Sequence, residues 1–302
     1  MNLFKMVSIR DIPYYIGVIV ILKFLYKIYD FIMKYIIPGK NNLKEKYGDG
    51  YAIVTGGTSG IGFAFATEFL KLNYKICLLS SNKEKLERAK NELLKSYPNS
   101  TIKIIEFNLD QFYTEETIKK LEEKISSEIN GEEISILYNN AGVLFRGRFD
   151  SISQKNICSM INVNLFGLTI LTKIVIEYMR KRQKKSLVIG SGSVDGQFRQ
   201  PTRAVYSSTK SYLEAFYEVL NREFKDKIDF TLIEIGPVKT NMLKNDIMFG
   251  NSPEQFASEC INLVGKYKFI QGSRNHAILK NLMYLPVTNY ISRMVDAKKN
   301  VD

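Results

Sequence analysis

The sequence predicts an α/β protein with a doubly wound, mostly parallel, seven-stranded sheet. From Tyr51 onward, short apolar runs alternate with longer segments of helical periodicity, which is the pattern of successive β-α-β units. A glycine-rich run, residues 56–62, follows the first apolar run and opens the first helical segment. The middle of the 302-residue chain has no Pro/Gly/Ser-rich linker, which favours one large domain with attachments.

The N-terminal segment, residues 1–46, is predicted to be a membrane anchor. Residues 14–22 are uncharged, and the charges that follow at 23, 27, 30 and 34 are spaced so that they share one helical face. No uninterrupted apolar stretch reaches the roughly 18 residues of a simple spanning helix. The segment therefore either spans the bilayer with its lysines reaching the headgroups or lies in the interface. The alternatives are a helix packed on the protein's own core and a signal peptide, which the bulky residues after Phe24 disfavour.

The sheet domain is expected over residues 47–245, with strands at the short apolar runs and helices between them. The expected strands are Tyr51–Thr55, Lys75–Ser80, Lys103–Phe107, Ile134–Tyr138, Leu187–Ser191, Phe230–Ile235 and a weaker one at Lys268–Gln271. The expected helices are Gly60–Leu72, Lys83–Ser96, Glu115–Ile129, Gln154–Arg182 and Ala204–Glu223.

The regular alternation ends after Pro237. Because the segment after the sixth strand of a doubly wound sheet commonly covers the ligand crevice, residues 246–302 are expected to form a substrate lid and a C-terminal helical segment. Apolar patches near residues 276–294 are also compatible with a second helix that touches the membrane.

Charge and cysteine content argue against several classes of protein. The formal net charge is +12, but the basic residues are scattered without an aromatic-interleaved recognition motif, so no nucleic-acid partner is expected. The densest basic cluster, residues 180–185, is interpreted as a solvated helix end, with a membrane-surface or acidic-ligand contact as the alternative. Cys77, Cys158 and Cys260 are far apart and odd in number, which argues against a disulfide framework or a zinc site.

Tyr206 and Lys210 are four residues apart, which places a phenol and an ammonium on one face of a helix. Of the 18 tyrosines, only Tyr206 has a lysine four residues downstream. A free phenol has a pKa near 10, and an adjacent ammonium favours the phenolate, so Lys210 is expected to lower the pKa of Tyr206. Ser193, thirteen residues before Tyr206, offers a hydroxyl. Taken singly, each of these residues also fits an ordinary structural role. Their spacing relative to one another favours a catalytic site.

The glycine-rich run has the context of a nucleotide-binding loop. Glycines permit a tight turn and a close approach to a pyrophosphate, and the amide groups at the start of the next helix favour negative charge. The spacing Gly56-x-x-x-Gly60-x-Gly62 differs from the Gly-x-Gly-x-x-Gly of other dinucleotide folds. The glycine-rich loop and the Tyr206–Lys210 pair together argue for a nicotinamide-dependent oxidoreductase.

Five motifs in combination resemble the short-chain dehydrogenase/reductase family. They are Thr55-Gly56-x-x-x-Gly60-Ile61-Gly62, Asn139-Asn140-Ala141-Gly142, Asn164, Ser193 and Tyr206-x-x-x-Lys210. The resemblance covers roughly residues 50 to 245 and implies a Rossmann sheet. Gly236-Pro237-Val238-x-Thr240 is similar to the family's loop over the nicotinamide, with Ile235 where a proline usually precedes the glycine.

The resemblance also implies a role for each site residue. Tyr206 would donate a proton to a carbonyl oxygen that Ser193 holds. Lys210 would bind the nicotinamide ribose, and Asn164 would support the lysine through a water. The implied cofactor contacts are Gly56, Ser59, Gly60, Ile61, Gly62, Ser81, Lys83, Asp110, Asn140, Ala141, Gly142, Tyr206, Lys210, Pro237, Val238 and Thr240.

The end of the second strand favours NADPH over NADH. Residues 78–83 include no acid to accept hydrogen bonds from the ribose 2′-hydroxyl of NAD. Ser81 stands where the resembling branch commonly has an arginine, which leaves Lys83 or Lys85 as the expected partner of the 2′-phosphate.

Within the family, the chain resembles the membrane-bound 3-ketoacyl-CoA reductases and 17β-hydroxysteroid dehydrogenases. The features shared with that branch are the N-terminal apolar segment, Lys46–Tyr51, Val205 before Tyr206, and Gly272 with His276-Ala277. The branch implies NADPH-dependent reduction of a lipophilic ketone, either a 3-ketoacyl-CoA or a 17-ketosteroid. It also implies the endoplasmic reticulum membrane with a cytosolic active site; a mitochondrial membrane is the alternative.

Two other functions remain to be weighed. A short-chain-dehydrogenase fold could serve as a structural or regulatory subunit of a membrane assembly with little or no turnover, and the absent proline at Ile235 fits this alternative. Family members also commonly form homodimers. Hydrolase chemistry is disfavoured because His276, the only histidine, has no Gly-x-Ser-x-Gly elbow to serve, so a packing or capping role is expected for it.

Overall fold

The computed structural model describes residues 11–240 and 250–283. By internal contacts the chain divides into two compact units, residues 1–40 and 41–302. Residues 241–249, which include the end of the expected sheet domain and the start of the expected lid, lie outside the described residues. Residues 284–302, which hold the end of the second membrane-touching helix considered near 276–294, also lie outside them.

The N-terminal unit contains helix α1, Ile12–Phe31, which continues as a π-helical turn over Ile32–Ile36. A proline lies in the first turn, where its missing N–H has no intrahelical partner to lose. The carboxylate of Asp30 lies 2.8 Å from the Nζ of Lys34, as expected for charges on one helical face. No residue of α1 is buried, and Tyr14 and Phe24 are 71% and 62% exposed. The N-terminal helix is thus confirmed, while its anchoring role stays a prediction.

The second unit is built on a sheet of seven parallel strands in the order β3-β2-β1-β4-β5-β6-β7. The strands are β1 Tyr51–Thr55, β2 Lys75–Ser80, β3 Ile102–Glu106, β4 Ile134–Asn139, β5 Ser186–Ser191, β6 Ile228–Ile233 and β7 Phe269–Ile270. Strands β1, β4 and β5 are buried along their whole length, which explains their continuous apolar runs. The predicted doubly wound, seven-stranded sheet is therefore confirmed.

Helices cover both faces of this sheet. They are α2 Leu43–Tyr47, α3 Gly60–Lys71, α4 Lys83–Ser96, α5 Glu115–Ile129, α6 Gln154–Ile161, α7 Leu168–Arg180, α8 Asp195–Phe198, α9 Ala204–Glu223, α10 Pro253–Cys260 and α11 Arg274–Met283. The apolar stripes of α5, α7 and α9 join the strands in one core cluster that includes Ile125, Val175 and Leu213. On α3, Phe65 packs against Tyr138 of β4 and Phe256 of α10.

The long helix expected over 154–182 is present over residues 154–180, but its hydrogen-bond pattern changes in the middle. A π-helical segment, Asn162–Gly167, joins α6 to α7, and it buries the side chain of Asn164 completely. Residues 154–180 form the one helix among the described residues with the length and hydropathy of a membrane span, and 61% of its apolar window is buried. We therefore assign it to the core of the second unit.

The basic cluster at residues 180–185 corrects the sequence interpretation in one respect. The side chain of Arg182 is only 2% exposed, so this part of the cluster is not a solvated helix end. Its guanidinium donates to the carboxylate of Glu133 at 2.9 and 3.0 Å and to the backbone carbonyl of Tyr47 at 2.7 Å. The arginine is buried because it satisfies a carbonyl at the end of α2 and a carboxylate beside β4.

Candidate active site

The predicted motifs meet at the carboxyl edge of the sheet, where the strand order reverses between β1 and β4. In a doubly wound sheet this reversal opens a crevice between the loops that follow the two strands. Two adjoining clefts of about 300 and 500 Å³ occupy this edge and share Gly56, Ala141 and Gly142 in their walls. The smaller cleft is lined by Gly56, Ser59, Gly60, Ile61, Asn140, Ala141, Gly142, Ser191, Ser193, Tyr206, Lys210, Ile235 and Thr240.

The glycine loop leaves β1 and turns directly into α3. Gly56 and Gly60 have φ values of +63° and +56°, a backbone conformation that L side chains rarely adopt. A Cβ atom on Gly62 would lie 2.5 Å from the carbonyl oxygen of Gly56 and from Nδ2 of Asn140. The loop thus requires glycine for its turn and for its close packing, which fits the binding of a dinucleotide pyrophosphate at the start of α3.

Asn140 and Thr55 join the loops after β4 and β1. The Thr55 hydroxyl accepts the backbone N–H groups of Asn140 and Ala141, both at 2.9 Å. The Asn140 side chain donates to the Thr55 carbonyl at 2.9 Å. The sequence placed Asn140 and Ala141 at the site but gave Thr55 no role; its position at the end of β1, one residue before the glycines, is the signal that could have assigned it.

Ser193 and Tyr206 are brought together from the end of β5 and the first turn of α9. The Ser193 hydroxyl is near enough to the Tyr206 phenol to act on its pKa, and it accepts the backbone N–H of Asp195 at 3.2 Å. Both side chains line the smaller cleft with the glycine loop. The structure therefore brings a hydroxyl and a phenol to one point of the cofactor crevice, as the sequence predicted.

The effect expected of Lys210 on this phenol is not what the structure shows. Burial raises the pKa of Tyr206 to about 12, and the hydrogen bond from Ser193 acts in the opposite direction without overcoming it. The prediction of a lowered pKa was wrong because it weighed a neighbouring cation and left out desolvation, which disfavours the charged phenolate. At neutral pH the Tyr206 phenol is therefore in its proton-donating form.

Lys210 is buried, and its Nζ lies 5.5 Å from the centre of the Tyr206 ring. The Nζ donates to the backbone carbonyl of Ser191 at 2.7 Å. Burial lowers the pKa of Lys210 to about 8, while the carboxylate of Asp195 acts to raise it. The lysine is thus held by the end of β5 and titrates close to physiological pH.

Asn164 lies beside Lys210 without a direct hydrogen bond to it among the contacts described. Its side chain donates to the Val143 carbonyl at 2.9 Å and accepts the Val143 N–H at 2.8 Å. A Cβ atom on Gly142 would lie 3.3 Å from Asn164 Oδ1 and 3.6 Å from Lys210 Nζ. Both polar groups therefore flank Gly142, and support of the lysine through a water stays a prediction.

An ion pair that the sequence did not indicate borders the tyrosine. One Nη of Arg203 contacts both carboxylate oxygens of the buried Asp195, at 2.8 and 2.7 Å. The Asp195 carboxylate acts to raise the pKa of Tyr206, whereas the guanidinium groups of Arg203 and Arg146 act to lower it. No spacing rule links Asp195 to Arg203, since the loop between α8 and α9 determines their contact.

The larger cleft contains the residues expected near the adenine half of the cofactor. Ser81, Lys85 and Asp110 line it, whereas Lys83 is exposed at the first position of α4 and is not among the lining residues. The carboxylate of Asp110 accepts hydrogen bonds from the Ser159 hydroxyl at 2.6 Å and from Asn162 at 3.4 Å. The geometry thus favours Lys85 over Lys83 as a cation facing the cleft.

The loop after β6 approaches the glycine loop. A Cβ atom on Gly60 would lie 3.3 Å from Cγ2 of Thr240, so the two loops are in contact. Val238 forms a β-bridge with Asn251. The carbonyl of Pro237 accepts a hydrogen bond from His276 at 2.9 Å. The predicted nicotinamide loop therefore lies next to the predicted pyrophosphate loop.

The chain is similar to known dehydrogenases and reductases over most of its length. The chain is 28% identical over 286 residues to putative steroid dehydrogenase 3 of Caenorhabditis elegans, covering 89% of this chain and 87% of that protein. It is 28% identical over 264 residues to the human very-long-chain 3-oxoacyl-CoA reductase, covering 83% and 80%.

Solved structures share the fold. One match is a structure from work on the stereoselectivity of 7beta-hydroxysteroid dehydrogenase. It has a TM-score of 0.72 at 18% identity and covers 85% of this chain and all of that chain. Other structures of this fold are complexes with NAD, NADP or NADPH. At such identities the likeness shows the fold alone.

The family model described as short chain dehydrogenase matches residues 50–248, which contain the glycine loop, Ser193, Tyr206 and Lys210. At the carboxyl edge of the sheet, one cleft is lined by both the glycine loop and Tyr206. The chain belongs to the short-chain dehydrogenase family.

Proposed function

We propose that this chain is a membrane-anchored, NADPH-dependent reductase that converts a lipophilic ketone to the alcohol. The substrate class is a 3-ketoacyl-CoA or a 17-ketosteroid. The observation that carries the proposal is that Ser193, Tyr206 and Lys210 line the same cleft as the glycine loop. This arrangement supports a proton donor, a hydroxyl for the substrate oxygen and a cation acting beside a bound dinucleotide.

The proton transfer follows from the state of Tyr206. NADPH, when bound in this cleft, would supply a hydride for the carbonyl carbon. As the carbon–oxygen double bond becomes a single bond, the oxygen gains negative charge and takes the Tyr206 proton, which leaves a phenolate. The Ser193 hydroxyl donates to the same oxygen and holds it in place. The raised pKa of Tyr206 keeps the phenol protonated at neutral pH, as reduction requires.

Lys210 and Asn164 have supporting roles in this proposal. The Lys210 ammonium, held by the Ser191 carbonyl, would bind the nicotinamide ribose and stabilise the Tyr206 phenolate left after proton transfer. Asn164 fixes the Val143 backbone beside Gly142 and so maintains the space between its own oxygen and Lys210. A water in that space would restore the proton from solvent.

The choice of NADPH rests on the end of β2. Ser81 and Lys85 line the larger cleft where the ribose of the adenosine half would lie, and Leu79 and Ser80 before them are uncharged. An ammonium group favours a 2′-phosphate, whereas an acid would favour the 2′-hydroxyl of NAD. Asp110 is expected near the adenine, where its carboxylate is already oriented by Ser159.

The membrane and substrate proposals support each other. The α1 helix has exposed apolar side chains along its length, which fits insertion into a bilayer or its interface. Long-chain acyl thioesters and steroids partition to membranes, so an anchored enzyme would encounter them there. The endoplasmic reticulum with a cytosolic active site, a mitochondrial membrane instead, and a homodimer or membrane-complex partner all stay predictions.

The test is NADPH oxidation by the purified full-length protein in detergent or lipid vesicles. A panel of 3-ketoacyl-CoAs of increasing chain length and a panel of 17-ketosteroids would be compared, with Y206F as the inactive control. Oxidation above the Y206F background with one panel supports the proposal and identifies the substrate class. Binding of NADPH without turnover of any substrate would favour the alternative of a non-catalytic subunit.

A further inference from the structure

The only histidine of the chain contacts the loop that follows β6 through both ring nitrogens. The backbone N–H of Gly236 donates to Nδ1 of His276 at 3.2 Å. Nε2 of His276 lies 2.9 Å from the carbonyl oxygen of Pro237. These two contacts span successive residues, so the imidazole of α11 bridges the backbone at the start of the predicted nicotinamide loop.

The two contacts fix the state of the ring. Nδ1 accepts the Gly236 N–H and therefore carries no proton, and the carbonyl of Pro237 can only accept, so Nε2 carries one. The ring is the neutral Nε2–H tautomer. Burial also lowers the pKa of His276, which favours the same neutral form.

The ring is held tightly between the loop and the C-terminal elements. His276 is 1% exposed, and a Cβ atom on Gly236 would lie 2.8 Å from its Cδ2. Its other side faces the Phe256 ring of α10, with ring centres 5.3 Å apart. A side chain so confined leaves little freedom to the backbone that it contacts.

A second contact from the same region holds the loop two residues further along. The carbonyl of Asn251 accepts the N–H of Lys239 at 3.0 Å, and the Asn251 side chain accepts the Ser273 hydroxyl at 3.1 Å. The Ser273 hydroxyl in turn accepts the backbone N–H of His276 at 3.3 Å. Asn251, Ser273 and His276 therefore form one buried network against the loop.

We propose that His276 is a positioning residue that sets the nicotinamide-binding conformation of the Gly236–Thr240 loop through its hydrogen bonds to Gly236 and Pro237. The inference rests on the proposed function, since it assigns that loop to the nicotinamide half of the cofactor. It goes beyond the expected packing role, because it ties the C-terminal segment to cofactor binding. His276 itself contacts only the loop backbone and neighbouring protein groups among the residues described.

The first test compares two ligands that differ in whether they reach the loop. In the proposed binding mode NADPH would reach the Gly236–Thr240 loop, whereas adenosine 2′,5′-bisphosphate carries only the half expected in the larger cleft. Dissociation constants for both would be measured for the wild type, H276N, H276Q, H276L and I278A. Asn retains an acceptor near the Nδ1 position and Gln a donor near the Nε2 position. Ile278 is 37% exposed on the same helix, so I278A controls for general disturbance of α11.

The expected result is a graded and selective loss. For NADPH, we expect about a five-fold weaker affinity in H276N and in H276Q, and about thirty-fold in H276L, since each variant loses one or both hydrogen bonds. Adenosine 2′,5′-bisphosphate should bind all variants within two-fold of wild type, and I278A should match wild type for both ligands. Equal weakening of both ligands, or unchanged NADPH affinity in H276L, would overturn the positioning role.

The second measurement uses the wild-type protein, so it does not depend on whether a variant folds. Because the chain has one histidine, selective ¹⁵N-histidine labelling of a protein with a histidine-free affinity tag gives the resonances of His276 alone. We expect a neutral Nε2–H tautomer at neutral pH, and ring resonances that shift with NADPH but not with adenosine 2′,5′-bisphosphate. A charged or Nδ1–H ring, or a ring insensitive to NADPH, would refute the inference.

The pH titration of that signal must take account of nearby charges. Glu259 of α10 accepts the backbone N–H of Arg274 at 2.8 Å, and Glu234, just after β6, pairs with Lys280 of α11. Of these, Glu259 acts to raise the pKa of His276 against the larger effect of burial. We expect NADPH affinity to fall as His276 protonates below pH 6.5, and H276L to lack that step. A wild type that binds neither ligand at any pH would instead refute the proposed function, and this inference with it.

Discussion

The Nζ atom of Lys210 lies 5.5 Å from the centre of the Tyr206 ring, and burial favours the neutral form of both groups. The pKa of Tyr206 is raised to about 12, so the phenol stays neutral well above neutral pH. The pKa of Lys210 is lowered to about 8, so the ammonium loses its proton under mildly alkaline conditions. The group that titrates near neutral pH is therefore the lysine, although the tyrosine is the proposed proton donor.

This relationship predicts the pH dependence of ketone reduction. As pH rises through about 8, Lys210 becomes neutral, so its attraction for the ribose and for a developing phenolate disappears. We expect kcat/KM for NADPH-dependent reduction to be high at neutral pH and to fall on the alkaline side with a midpoint near pH 8. The measurement is the pH profile of kcat/KM, which reports groups of the free enzyme.

The K210R variant is the control for this assignment. Arginine stays charged throughout the accessible range, so the alkaline limb should disappear even though the overall rate falls with the altered geometry. If the alkaline limb of the kcat/KM profile persists near pH 8 in K210R, the titration belongs to another group. A wild-type rate that is level to about pH 11 would contradict the lowered lysine pKa.

Replacement of Tyr206 by Phe removes the proposed proton donor and little else. Loss of general acid catalysis is typically worth about 10²- to 10⁴-fold, so kcat should fall at least a hundred-fold. The NADPH dissociation constant should change by less than about two-fold, because the ring remains. Y212F is a matched control on the same helix, where the Tyr212 hydroxyl contacts Thr169 outside the cleft. Equal rates for wild type and Y206F would exclude the proposed chemistry.

The features predicted correctly from the sequence are local or periodic. Strands β1 and β2 and helices α4, α5 and α9 begin and end at the predicted residues, because their apolar spacing and their glycine or cap signals are contained in the segment itself. Asn82, for example, accepts the N–H of Lys85 as the N-cap of α4. The site residues on strand ends also converge as predicted, since parallel strands present their carboxyl ends on one edge.

The features missed depend on contacts between distant segments. Within the π-helical segment, Asn164 forms hydrogen bonds with the Val143 backbone, a contact between distant segments that no helical periodicity encodes. The phenol pKa of Tyr206 depends on burial by the whole cleft, so the spacing to Lys210 alone gave the wrong direction. His276 reaches Gly236 across 40 positions of sequence, a contact that only the tertiary structure defines.

Substitution of Gly62 by alanine should impair the glycine loop. The added Cβ would lie 2.5 Å from the Gly56 carbonyl and from Asn140 Nδ2, so the loops after β1 and β4 must move apart. Overpacking of this kind typically costs about 1–3 kcal/mol, and the displaced loop should also bind NADPH at least ten-fold more weakly. Denaturant unfolding and NADPH titration measure the two effects.

Gly17 provides the control for that substitution, because a Cβ built on it would meet no atom within 4 Å beyond its chain neighbours and the backbone of its own helix. G17A lies in α1, where alanine is a better helix former than glycine. The stability of the second unit and the NADPH affinity should therefore match those of the wild type. A G62A protein that unfolds and binds NADPH as the wild type does would show that the loop accommodates a side chain.

The two lysines at the start of α4 should differ in their effect on cofactor choice. Lys85 lines the larger cleft and Lys83 does not, although both are exposed. K85Q should weaken NADPH binding about ten-fold and leave NADH binding unchanged, since only NADPH has the 2′-phosphate that the ammonium would contact. K83Q is the matched control and should leave the NADPH-to-NADH ratio near that of wild type. A larger effect in K83Q than in K85Q would reverse the assignment.

Membrane association should depend on the N-terminal unit alone. Residues 1–40 form a compact unit separate from residues 41–302, and α1 exposes large apolar side chains that water solvates poorly. Burial of such side chains in a bilayer or its interface is favourable, so the full-length protein should remain with membranes after alkaline carbonate extraction. A variant that begins at Asn41 should be released while retaining NADPH binding, because α2, the sheet and the cleft belong to the second unit. Release of the intact full-length protein by carbonate would contradict the anchor. Retention of the shortened variant would place the membrane contact in the second unit.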